Sequence, residues 1–336
     1  MSLSGLGVAA LLVGGAVLVA FAAQGFTNAV EWIGYRLKLG DRVLGGIFAA
    51  WGTALPETVV PLVAVAAGTT AGHEVGVGAI LGAPFLLATL AFGLLGLTVL
   101  VRARHGREDF LQVLPQEASL DLLWFVLFFS VALASGLPPF RHLRHWAILV
   151  LLMGYGVYLV TALRGPGEDV GSRPERFLFW RLGRDPSWLA LLCVLFVSLG
   201  ALVGGAQVFV VAVTGLGRQL SVSPLMLAVI LAPLATELPE VMNSVVWTWH
   251  GRDDLALSAV TGAMIIQSTI GPTLGLLLTA WKLGPEEQFA GILALCAAGF
   301  FALGLRLMRR MEAGPLLFGA AFYAMFLLGI AAWRSA

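Results

Sequence analysis

AQGFTNAVEWIGYRLKLGDRVLGGIFAAWGTALPE, residues 23–57, returns 183 positions later as AQVFVVAVTGLGRQLSVSPLMLAVILAPLATELPE, residues 206–240. Fourteen of the 35 positions are identical without a gap. In an apolar chain, composition alone brings Ala, Val and Leu into coincidence. It does not align Gln24 with Gln207, Thr53 with Thr236, Pro56 with Pro239 and Glu57 with Glu240 in one register. The chain therefore carries an internal repeat, and each copy ends on a proline and a glutamate inside an apolar run.

Composition says what such runs are. Of 336 residues, 59% are hydrophobic and 12% charged, against about 25% charged in soluble domains. Apolar stretches of roughly 20 residues recur along the chain, the length a bilayer-spanning helix needs. A soluble enzyme is excluded on that ground. A net charge of +1 with no basic block gives nucleic acid no electrostatic footprint. Cys193 and Cys296 lie in apolar runs and read as small core residues, not as a disulfide or metal pair. The first apolar stretch lacks a positive n-region, so it is expected to be a retained span and not a cleaved signal peptide.

Charged and Gly/Pro breaks divide the chain into ten expected spans, near 4–37, 42–68, 75–101, 119–137, 145–164, 187–219, 224–250, 255–281, 287–308 and 314–334. With the N-terminus outside, fifteen of the 20 Lys and Arg residues fall in cytoplasmic loops. The positive-inside rule therefore predicts both termini outside. Compact loops and the lack of a targeting extension point to a prokaryotic cytoplasmic membrane. Five spans separate equivalent repeat positions, an odd number, so the second copy is inverted. The expected fold is an all-α membrane protein of ten transmembrane helices in two inverted five-helix repeats. Residues 1–164 form the first repeat, 165–186 a cytoplasmic linker and 187–336 the second repeat. Inverted repeats with interrupted helices are the mark of secondary transporters, whose sites form near the midplane.

A carboxylate at the bilayer centre costs at least about 2.5 to 3.5 kcal/mol on insertion scales. It persists when it pairs, binds an ion or carries a proton. Glu57 and Glu240 occupy matching places, Glu237 lies one turn from Glu240, and no Lys or Arg interrupts these helix interiors. Glu57 and Glu240 are therefore expected to face each other as cation ligands. Pro56 and Pro239 each remove a backbone donor and free carbonyls of the preceding turn, which can coordinate a cation where protein surrounds them. Thr53 and Thr236 precede their glutamates by four residues, one helical turn. An all-oxygen set suits a hard cation such as Ca2+, since softer metals usually recruit His or Cys. The plainer reading is that the threonines back-bond to their own helices and the prolines only kink.

GTALPE (52–57) and ATELPE (235–240), each after a helix of pattern Q…G…L and before a glycine-rich helix, resemble the paired repeats of the calcium/cation antiporter superfamily, the sodium/calcium exchanger-like proteins. The resemblance covers roughly 15–100 and 200–281 and implies two inverted five-helix halves around one ion site. It implies a calcium site at Thr53, Glu57, Thr236 and Glu240. It also implies that the first and sixth helices slide across the bundle to switch access. The departures matter as much. Ala54 and Glu237 stand where the family usually has serine. The stretches GAILGAP (78–84) and GAMIIQS (262–268) stand where it usually has G-N-x-x-G-S-N, with Gln267 and Ser268 the polar remnants. Those missing asparagines help to make sodium sites in the exchangers, whereas Glu237 adds a carboxylate. In a low-dielectric site a carboxylate can hold a proton near neutral pH. The expectation is proton-coupled or otherwise sodium-independent antiport.

Other polar residues weigh less. Gln24 and Gln207 recur in the repeat, for a shared role or for helix–helix hydrogen bonding. Glu31 reads as an interfacial carboxylate rather than a vestibule ligand, Asn243, three residues after Glu240, as a candidate for the same cavity, Asp253 and Asp254 as a solvated turn, and His142 and His145 as a surface cluster.

The reading is a secondary active transporter exchanging a divalent cation, Ca2+ foremost, for protons or another cation by alternating access. Its metal ligands are Glu57, Glu240, Thr53, Thr236 and Glu237. The partners implied are the cation, a counter-ion (H+ or Na+) and the lipid bilayer; no cofactor and no nucleic acid is called for. The rivals are a sodium/calcium exchanger, a channel-like member and a member that binds without transporting. No HExxH, paired catalytic aspartates or nucleophile motif occurs, so an intramembrane enzyme is not expected.

Overall fold

The computed structural model describes residues 5–37, 54–164 and 185–335. Apolar sequence with few breakers yields helices throughout: α1 Gly5–Arg36, α2 Leu55–Ala66, α3 Thr70–Arg104 (with a π-helical turn at Leu87–Ala91), α4 Pro115–Gly136, α5 Arg144–Arg164 and α6 Trp188–Leu220. There follow α7 Pro224–Thr236, α8 Leu238–Trp249, α9 Asp253–Leu278, α10 Pro285–Met308 and α11 Ala313–Ser335. Among the described residues, eight helices are long and apolar enough to cross a membrane, and nine if α7 and α8 count as one broken span. The expected span 42–68 is represented by the shorter apolar α2, because residues 42–53 and Thr53 within them lie outside the described residues. Most of the expected linker, 165–184, lies outside them too.

The exposed surface matches this reading. Leu189 (73%), Val197 (71%), Leu307 (74%) and Leu328 (71%) are among many large apolar side chains left exposed on the helices, as lipid-facing positions are. Cys193 and Cys296 are exposed and unbridged, which corrects the core reading. In a membrane protein an apolar run has a lipid-facing side as well as a buried one.

Two compact units make up the chain, one from residues 1–76 and 156–227, the other from 77–155 and 228–336. Each draws on both halves of the sequence. In the first unit α1 and α6 run antiparallel along their length. A Cβ at Gly15 would stand 2.9 Å from the Phe209 nitrogen, and one at Gly205 3.1 Å from Val19, so backbones meet where only glycine lets them. At one end Arg36 donates to the Pro186 carbonyl at 2.8 Å and lies over the Trp188 ring. Gln24 and Gln207 are both exposed on this pair, and Glu31, also exposed, takes a hydrogen bond from Asn28.

In the second unit α4 packs against α9 and α10, and the later half of α3 packs against α11. Glycines again set the closeness: a Cβ at Gly93 would stand 2.6 Å from the Ala320 nitrogen, and one at Gly96 2.6 Å from Leu316. Gly96→Leu is expected to force α3 and α11 apart at about 1–3 kcal/mol, read as a lower melting temperature in detergent. Gly299→Ala, where an added Cβ meets open space, serves as the control and should melt no lower than wild type.

The two ends of this unit are tied differently. At one, Arg102 forks onto Asp253 at 2.7 and 3.0 Å and also donates to the carbonyls of Thr248 and Phe110. Asp253 takes the Gln112 N–H as well, and the short strands β1 Phe110–Leu111 and β2 Met311–Glu312 pair beside it. Asp253 is 2% exposed, not part of a solvated turn, because Arg102 supplies the charge that lets it be buried. At the other end, Trp281 Nε1 donates to the Ala132 carbonyl and Arg144 to the Thr279 carbonyl. His142 and His145 are exposed there, as read from the sequence.

Candidate cation site

The stretch 224–250 is expected as one span, yet it forms two helices bent by 51° at Glu237. The cause is Pro239, in the first turn of α8. It has no N–H for the Ala235 carbonyl, and its ring crowds the turn before it. The chain crosses the break through Glu237, whose N–H bonds the Pro233 carbonyl at 2.8 Å and whose carbonyl takes the Val241 N–H at 2.9 Å. The break sets the carbonyl end of α7, carrying the negative end of its dipole, beside two carboxylates.

Glu237 is fully buried (0% exposed), and among the described residues neither of its carboxylate oxygens has a hydrogen-bond partner. Glu240 is half-buried and brings a carboxylate oxygen within 4.8 Å of Glu237. Two unit negative charges at that separation repel by roughly 3 to 4 kcal/mol at an effective dielectric constant of about 20. Neither α7 nor α8 contains a Lys or Arg, and Arg102, at the far end of α8, is committed to Asp253. A proton or a cation is what relieves such a pair. Thr236 is buried and its hydroxyl donates to the Ala232 carbonyl at 3.2 Å. It back-bonds, as the plainer reading had it, and its lone pairs stay open to a ligand. Asn243 is exposed.

The first motif belongs to the other unit and repeats the local construction. Ala54 caps α2, Pro56 sits in its first turn, and Glu57 follows in that turn, 8% exposed. Thr58 closes the turn with its N–H and its hydroxyl both on the Ala54 carbonyl. Each motif glutamate thus stands in the first turn of a helix begun by proline, where unpaired N–H groups favour a carboxylate.

One polar residue escaped the sequence reading. Ser244 lies seven positions after Glu237 and four after Glu240, and its hydroxyl is buried with no partner among the described residues. That helical spacing was the available signal.

The sequence model of the sodium/calcium exchanger proteins matches residues 7–164 and 190–332. The chain belongs to that family. It is similar to the inner membrane protein YrbG of Escherichia coli strain K12, at 27% identity over 82% of this chain and 81% of that protein. Its fold is similar to the solved structure of the H+/Ca2+ exchanger CAX, at a TM-score of 0.69 and 16% identity, covering 96% of this chain and 82% of that one. The sodium-calcium exchanger NCX_Mj gives 0.57 at 18% identity, covering 96% and 98%. The protein is accordingly an integral membrane member of a cation-antiporter family. Of the two stretches that lack asparagines, the first, 78–84, is closely packed. Ala79, Ile80, Leu81 and Ala83 are buried, and a Cβ at Gly82 would stand 2.7 Å from Pro233 of α7. On α9, Gln267 and Ser268 are buried, and the Ser268 hydroxyl donates to its own helix at Ile265.

Proposed function

We propose that this exchanger-family protein carries a divalent cation, Ca2+ foremost, in exchange for protons or another sodium-independent counter-ion. Glu57 and Glu240 are its charged ligands, Thr53 and Thr236 its neutral ones, and Glu237 an added carboxylate. The observation that carries the reading is Glu237, a fully buried carboxylate without a hydrogen-bond partner among the described residues, a few ångströms from Glu240. The cost of that arrangement is recovered when a cation or a proton arrives. The loss of the asparagines from both patterns, with apolar, close-packed residues in the first, supports independence from sodium.

The fold that goes with this function has ten spans in two inverted halves, 1–164 and 187–336, with both termini outside a prokaryotic cytoplasmic membrane. The antiparallel run of α1 beside α6, two repeat-equivalent helices, supports the inversion.

The test is uptake of radiolabelled Ca2+ into proteoliposomes under an imposed pH gradient or an imposed sodium gradient. Uptake driven by pH alone is expected. Uptake driven by sodium alone overturns the coupling, and uptake under neither overturns Ca2+ exchange.

A further inference from the structure

The outer side of α10 carries a groove that ion exchange does not use. Its volume is about 220 Å³, and its lining includes Phe300, Leu303, Gly304, Leu307, Arg310 and Pro315. From Phe300 to Met308 it follows α10 for about 12 Å at the helical rise, from apolar depth to the end of the span. At that end the chain reads Arg306, Arg309, Arg310, all exposed. Arg306 donates to the Ser119 hydroxyl. Arg310 meets Glu312 at 3.2 Å in an exposed pair and leans over Phe110. An apolar slot with Arg310 in its lining, and exposed Arg309 next to it in the chain, fits one ligand chemistry, an acyl chain below a phosphate.

Two further observations point the same way. Arg309 closes α10 in the left-handed region, at φ 55 and ψ 17, where glycine is the ordinary residue and a Cβ is strained. A basic side chain holds a position that the backbone alone would give to glycine. Gly304, in the groove's lining, has nothing within 4 Å of an added Cβ. The slot is therefore open where a chain would lie.

We propose that the groove between α10 and α11 is a binding site for an anionic phospholipid, with the acyl chain along Phe300, Leu303, Gly304 and Leu307 and the headgroup phosphate on Arg309 and Arg310. The site is separate from the motif glutamates and does not depend on the ion carried.

The experiment uses the full chain in neutral detergent, titrated with phosphatidylglycerol or phosphatidylcholine of identical acyl chains and read by native mass spectrometry. Wild type is expected to retain phosphatidylglycerol about tenfold or more in preference. Arg309→Gly combined with Arg310→Gln should abolish that preference without lowering the melting temperature, since glycine relieves the turn. Gly304→Phe should fill the slot and reduce retention of both lipids. Equal retention of the two lipids by wild type overturns the proposal, as does a preference that survives the arginine substitutions.

Discussion

Glu240→Gln is expected to reduce Ca2+ affinity by at least about 100-fold and to bring uptake in proteoliposomes to background. The substitution keeps the volume of the side chain and removes its charge. At an effective dielectric constant of about 20, one unit charge about 4 Å from another contributes roughly 4 kcal/mol, and a divalent ion doubles it. Even after the cation regains part of that from water, several factors of ten remain. Folding should not suffer, because burying an amide costs less than burying a carboxylate. The melting temperature in the absence of Ca2+ should stay level or rise, and Glu57→Gln should behave alike. Wild-type uptake by either variant would sink the ligand assignment, whereas a collapsed melting temperature would show the glutamate to be structural.

The second large effect is on stability. Arg102→Ala is expected to destabilise the fold by about 3–5 kcal/mol, the usual consequence of leaving one member of a buried ion pair alone. The side chains of Arg102 and Asp253 are 4% and 1% exposed. Asp253 without its partner keeps the Gln112 N–H, and the carbonyls of Thr248 and Phe110 lose a donor. Arg310→Ala is the matched comparison, because its pair with Glu312 is exposed and is worth about 0–1 kcal/mol. Thermal unfolding and limited proteolysis of the two variants decide the matter. Equal melting of Arg102→Ala and wild type would mean that the cluster holds nothing together.

These two predictions differ in how far the sequence foretells them. Glu57 and Glu240 are legible because a carboxylate in an apolar run is costly and these recur in register with Gln, Thr and Pro. Asp253 is not, since Asp-Asp after Gly-Arg has the local look of a turn, and its partner lies 151 residues away. The break at Glu237 is half legible: Pro239 announces lost backbone bonds, but a kinked helix and a divided one share that signature. Cys193 and Cys296 mislead for a reason peculiar to membranes, where lipid is as apolar as a core. Hydrophobicity then no longer separates inside from outside. Ser244 passed unnoticed because a lone serine in a helix usually bonds its own backbone, and only the orphaned hydroxyl distinguishes it.

The pairing of α1 with α6 also governs the order of assembly during synthesis. The side of α1 that carries Gly15 and Val19 has its partner in Gly205 and Phe209, which the ribosome has not yet made when Arg36 emerges. At about 5–20 residues per second the intervening stretch of roughly 150 residues takes on the order of 10–30 s. For that interval the first helix stands in the bilayer with its glycine side turned to lipid, so a chain released before Leu220 should be a substrate for quality-control proteolysis.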